Sequence, residues 1–118
     1  MNLTDPKFKD FALVREMLET PAIVGRFDVR RAEPFAREVR EAGRLLLTGE
    51  GSSRIFPAKN AMYELLKLGA PLAAFTDGAR QAHEYCLAQT AVFGASNSGK
   101  TKEVISLFTQ LKNQGHQK

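Results

Sequence analysis

The chain holds one cysteine, two histidines, two tyrosines and no tryptophan. A lone thiol cannot staple a fold, and with so few histidines it cannot assemble a zinc site. No apolar run approaches the roughly 20 residues that a membrane helix needs. The opening MNLTDPKFKD is polar and charged, unlike a secretory signal. Charge of one sign never accumulates: 17 basic and 13 acidic residues interleave to a net +4. A nucleic-acid surface calls for a basic stripe with exposed aromatics, and neither is visible. Internal repeats, low-complexity tracts and linkers are absent as well. These absences exclude a disulfide scaffold, a zinc finger and a membrane span. The expectation is a cytoplasmic protein with no metal, no cofactor, and neither nucleic acid nor membrane as partner.

What is present is ordinary globular material. The 118 residues are 43% hydrophobic and 25% charged, enough apolar surface for one domain's core. Phe8, Phe11, Ala12 and Leu18 recur at helical spacing, and Pro21 is expected to stop that helix. A second stripe runs Val29, Ala32, Phe35, Ala36, Val39 and Ala42, with Pro34 in its first turn and Gly43 at its end. Leu45-Leu46-Leu47-Thr48, short and flanked by glycine, reads as a strand buried on both faces. A helix carrying Ala58, Ala61, Met62, Leu65 and Leu66 inward follows, ending at Gly69. Pro71–Phe75 reads as a second strand, Thr76-Asp77-Gly78 as a turn and N-cap, and Ala79–Gln89 as a helix with Ala82, Tyr85, Cys86 and Leu87 facing in. Thr90–Phe93 is the third strand. Thr101–Gln114 is the last helix, with Val104, Ile105, Leu107, Phe108 and Leu111 on one side. Cys86 is expected to be buried, and His116 to lie in a frayed tail.

Strands alternating with helices imply a parallel sheet with right-handed crossovers. The fold class is therefore α/β: a three-layer α/β/α arrangement around a doubly wound, flavodoxin-like sheet. About three strands are present, in the expected order 2-1-3.

Two loops carry the chemistry. Gly49-Glu50-Gly51-Ser52-Ser53 and Ser96-Asn97-Ser98-Gly99-Lys100-Thr101 each follow a strand and open a helix. Glycines let backbone approach a ligand closely, helix starts present unpaired N–H groups to an anion, and hydroxyls add neutral donors. With strands 1 and 3 adjacent, the loops would line the switch point where such sheets bind ligands. The second loop also completes G-x-x-x-x-G-K-[ST] as Gly94–Thr101, the pattern of a nucleotide-binding P-loop. That reading would place Lys100 on the outer phosphates and Thr101 on Mg²⁺, but it leaves the first loop unexplained.

At these residues the chain resembles the sugar isomerase (SIS) domain family. Leu45–Ser53, LLLTGEGSS, resembles that family's first strand and G-[TS]-S loop. Ala95–Thr101, ASNSGKT, resembles its S-x-S-G-x-T signature. Met17–Pro21 and His83-Glu84-Tyr85 resemble segments of the isomerase half of glutamine–fructose-6-phosphate aminotransferases. The resemblance implies N-terminal helices over residues 1–43 packing on the start of an SIS domain over 44–118. It implies a phosphosugar site in which Ser52, Ser53, Ser96, Asn97, Ser98 and Thr101 contact the phosphate, with Gly49, Gly51 and Gly99 allowing backbone approach. Asn97 stands where the family has glutamine, Lys100 where glutamate is common, and Glu50 where a small residue is usual. Glu50 is open to either the sugar or solvent, with solvent the favoured reading. The implied activity is aldose–ketose isomerisation of an amino-sugar or hexose 6-phosphate, with non-catalytic sugar-phosphate sensing as the other branch. The relatives' acid and base residues come from later segments, so no catalytic residue is assigned within this chain. A homodimer, or the remainder of a longer parent, is the expected partner, because strand 3 would otherwise present an uncovered apolar edge.

Overall fold

A computed structural model describes residues 5–8 and 10–117. The chain divides into two compact units, Met1–Glu33 and Pro34–Lys118.

The first unit holds a 3-10 turn at Pro6–Phe8, helix α1 over Ala12–Gly25, and a 3-10 turn over Val29–Ala32. Pro21 lies inside α1 and does not stop it. A proline removes one N–H, here the donor to the Met17 carbonyl. The flanking Glu, Met, Leu and Ala residues are good helix formers, so the helix absorbs that loss. The Thr20 hydroxyl turns back on the Glu16 carbonyl at 2.9 Å. The expected stripe from Val29 to Ala42 is split. Asp28 caps the 3-10 turn by accepting the Arg30 N–H, and only then does α2 begin, over Glu33–Ala42, with Pro34 in its first turn.

The second unit is an α/β sandwich around a three-stranded parallel sheet of order β2-β1-β3. Strand β1 spans Arg44–Gly49, α3 Gly51–Lys67, β2 Ala73–Gly78, α4 Ala79–Ala82, β3 Ala91–Ala95 and α5 Lys102–Asn113. Central β1 alternates its side chains between the two faces. Leu46 enters a buried cluster with Ala79, Ala82, Leu87, Val104, Leu107 and Leu111. Leu45 turns the other way and shares a groove of about 640 Å³ with α2 and α3, at the amino-terminal end of the strands. Cross-strand hydroxyls reinforce the ladder. Thr48 Oγ1 donates to the Asp77 carbonyl at 2.9 Å, and Thr76 Oγ1 to the Leu47 carbonyl at 2.7 Å.

Several expectations on side-chain direction are corrected. Leu66 is 81% exposed, because it lies a quarter-turn off the Ala58–Leu65 face of α3. Ile105 is likewise exposed, beside the buried Val104, Leu107 and Leu111. The helix expected over Ala79–Gln89 is one turn long. After it the chain tightens through i to i−3 bonds, from Glu84 N–H to the Gln81 carbonyl and from Tyr85 N–H to the Ala82 carbonyl. An unbroken helix would carry Leu87 about 140° around from Ala82. The turn instead delivers Leu87 to the same cluster and turns Cys86 outward, exposed. His116 is no frayed tail. It is half-buried, and its Nε2 lies 3.0 Å from both the Leu87 and Thr90 carbonyls.

Among the described residues no helix is long and apolar enough to cross a membrane.

Candidate anion site at the carboxyl ends of β1 and β3

The sheet order brings the two serine-rich loops together. In register, Gly49 of β1 lies opposite Ala95 of β3, and each strand then releases its loop. The fit at this point is tight. A Cβ at Gly49 would lie 2.5 Å from the Ala95 carbonyl oxygen and 3.3 Å from the Arg54 Cβ, and its φ of +150° is itself foreign to other residues. Gly49 is therefore required for the two strand ends to meet. The crossovers send α3 and α5 to opposite faces, so the crevice lies between the two helix starts.

The first loop turns through Glu50, the N-cap of α3, whose side chain makes no cap bond to that helix. Gly51 (φ +56°), Ser52 and Ser53 form the opening turn. Their N–H groups are the ones a helix leaves unpaired. Ser52 is exposed and Ser53 half-buried. Pro57, inside α3, withholds the N–H that would otherwise bond the Ser53 carbonyl.

The second loop closes on itself. Ser96 Oγ and Thr101 Oγ1 stand 2.8 Å apart in a hydrogen bond, and Ser98 Oγ accepts the Lys100 N–H at 3.1 Å. Gly99 (φ +65°) makes the bend. Thr101 is the N-cap of α5, not its first helical residue, and its hydroxyl is turned to Ser96 rather than to the helix. Asn97, Ser98 and Lys100 are exposed. Gly94, the first glycine of the P-loop pattern, lies within β3, where a Cβ would stand 2.6 Å from the Phe108 ring. The structure thus joins Ser96 with Thr101 and sets Ser52 and Ser53 on the neighbouring strand's loop. Among the described residues, no hydrogen bond links the side chains of one loop to those of the other.

Other polar groups at the carboxyl end of β2 were not foreseen. Asp77 lies in β2 rather than in a turn, its Oδ1 accepting the Gly78 N–H at 2.8 Å and its Oδ2 the Tyr85 hydroxyl. The Tyr85 bond foremost, then the Gly78 amide, hold the Asp77 carboxyl below its ordinary value, with the Arg54 guanidinium adding to them against the cost of burial. The same bond pushes the Tyr85 hydroxyl up. Arg54, in the first turn of α3, donates from a terminal nitrogen to Thr76 Oγ1 at 3.2 Å, while its Nε is buried without a hydrogen-bond partner. Glu50 is not committed to solvent: its Oε1 accepts the Ala79 N–H at 3.0 Å. From the sequence alone, Asp77 reads as part of a turn and N-cap and Glu50 as favouring solvent, and neither of these partners is assigned.

The site is chemically suited to hold a small anion between two helix starts, with hydroxyls around it and cationic Arg54 and Lys100 on the flanking segments. Among the described residues, no group of His, Cys, Asp and Glu could hold a metal ion. No protein-family model, no curated protein and no solved structure matches the chain.

Proposed function

We propose that the second unit is a phosphosugar-binding domain of the sugar isomerase kind, taking an amino-sugar or hexose 6-phosphate. The observation that carries this reading is the pairing of Gly49 with Ala95, which sets two serine-rich, helix-opening loops side by side. One such loop is a common turn; two at one switch point supply the amides and hydroxyls that a phosphate held between helix starts would need. Ser52, Ser53, Ser96, Asn97, Ser98 and Thr101 are the proposed phosphate contacts. The proposed activity is aldose–ketose isomerisation, completed by residues from a second copy or a longer parent. The exposed thiol of Cys86 fits a reducing, cytoplasmic setting.

The test is thermal unfolding of the full chain with fructose 6-phosphate, glucosamine 6-phosphate, inorganic phosphate and ATP–Mg²⁺. A ligand that binds only the folded state raises its melting temperature by mass action. Sugar phosphates are expected to stabilise more than phosphate, with no Mg²⁺ requirement. Stabilisation by ATP that depends on Mg²⁺, without any by sugar phosphates, would move the assignment to the P-loop reading of Gly94–Thr101.

A further inference from the structure

Glu50 occupies an awkward place for an anion site. It precedes the opening turn of α3, where its negative charge opposes any phosphate held by that helix start. Yet its carboxylate is not turned to open water. Oε1 accepts the Ala79 N–H at 3.0 Å, and the two carboxylate oxygens lie 3.4 and 3.6 Å from where a side chain at Gly78 would begin. The bond therefore runs from the end of β1 to the end of β2, pulling the carboxylate away from the crevice beside β3. On the far side, Ala79 starts α4. His83, just past α4, pairs through Nδ1 with Gln110 of α5, and Gln110 Nε2 returns to the His83 carbonyl at 3.3 Å. Helix α5 carries the second loop at its start.

We propose that Glu50 is a positioning residue of the anion site. By pinning the end of β1 to Ala79, it fixes the direction in which Gly51, Ser52 and Ser53 enter α3, and it ties the first loop to the α4–α5 body that bears the second. This inference rests on the phosphosugar reading. The pin is a hydrogen bond from a neutral amide, so its geometric role and its charge are separable. Gln at this position keeps an acceptor oxygen and loses the charge; Ala loses both.

Two measurements on the full chain separate the possibilities. The first is amide hydrogen exchange at Ala79, whose N–H the pin holds. Protection is expected in the wild type and in Glu50→Gln, and faster exchange there in Glu50→Ala. The second is the affinity for fructose 6-phosphate by titration calorimetry. If charge alone mattered, both variants would bind the anion more tightly. Positioning predicts a split: Glu50→Gln binds at least as tightly as wild type, whereas Glu50→Ala binds about tenfold more weakly, the worth of one such bond. Tighter or unchanged binding by Glu50→Ala, or exchange that does not respond, overturns the role of Glu50 and leaves the phosphosugar reading intact. A wild-type chain that binds neither sugar phosphate nor phosphate overturns both.

Discussion

The carbonyl oxygen of Ala95 stands 2.5 Å from where a side chain at Gly49 would begin. Backbone cannot yield as a flexible side chain can, so Gly49→Ala must part the ends of β1 and β3 or distort the loop. Overpacking and an unfavourable φ together predict a loss of about 3 kcal/mol of stability. Urea denaturation checks the loss, and sugar-phosphate binding should disappear with the shared crevice.

Gly94 provides the contrast. A Cβ there would stand 2.6 Å from the Phe108 ring, the far end of a side chain that is 40% exposed, and 3.2 Å from Cγ1 of the buried Val104. Gly94→Ala should cost about 1–3 kcal/mol by overpacking and leave anion binding nearly unchanged, because this glycine packs a strand and lines no phosphate. Lys100→Ala should weaken the binding of all anions alike, and no Mg²⁺-dependent ATP turnover should exist for it to abolish. Turnover assays and calorimetry on the two variants decide the point.

The sheet was legible because its signals are local and mutually consistent. Leu45–Thr48 between glycines reads as a buried strand, and the 2-1-3 order of a doubly wound sheet makes strands 1 and 3 neighbours, as they are. Gly43, Gly69 and Gly115 end their helices with positive φ, as their positions in the pattern imply. What stayed hidden depends on tertiary partners. The brevity of α4 follows from burying Leu87 in a cluster built by residues far along the chain. The direction of Glu50 follows from an amide 29 positions away. The pairing of Asp77 with Tyr85 needs the tight turn after α4, which no periodicity reveals.

That pairing gives the chain a defined pH response. Asp77 titrates below its ordinary value in the folded state, chiefly through the Tyr85 hydroxyl. Its contribution is therefore present above the unfolded carboxyl value of about 3.9 and is lost as pH falls through the lower folded value. Tyr85 is raised, so its share holds below about pH 10 and is lost as pH rises through the higher folded value. Tyr85→Phe should lower the melting temperature near neutrality. The gap to wild type should close at both acid and alkaline ends in a pH series of thermal melts.

His116 offers a control remote from the crevice. Its Nε2 lies 3.0 Å from the carbonyls of Leu87 and Thr90, just ahead of β3 and so at the amino-terminal end of the sheet. His116→Ala should cost about 1 kcal/mol in urea denaturation by removing the ring nitrogen that the two carbonyls share. Sugar-phosphate affinity should stay at the wild-type value, measured by calorimetry on the same preparation.

The central claim is that both loops hold one anion, and backbone amide NMR during a fructose 6-phosphate titration tests it most directly. The amides of Ser52, Ser53, Ser98, Lys100 and Thr101 should shift together along one saturation curve. Ser53→Ala or Thr101→Ala should weaken that whole curve by about 1–3 kcal/mol, the worth of a hydrogen bond to a charged acceptor. Shifts confined to one loop, two loops saturating at different concentrations, or no saturable shift at either would contradict the account.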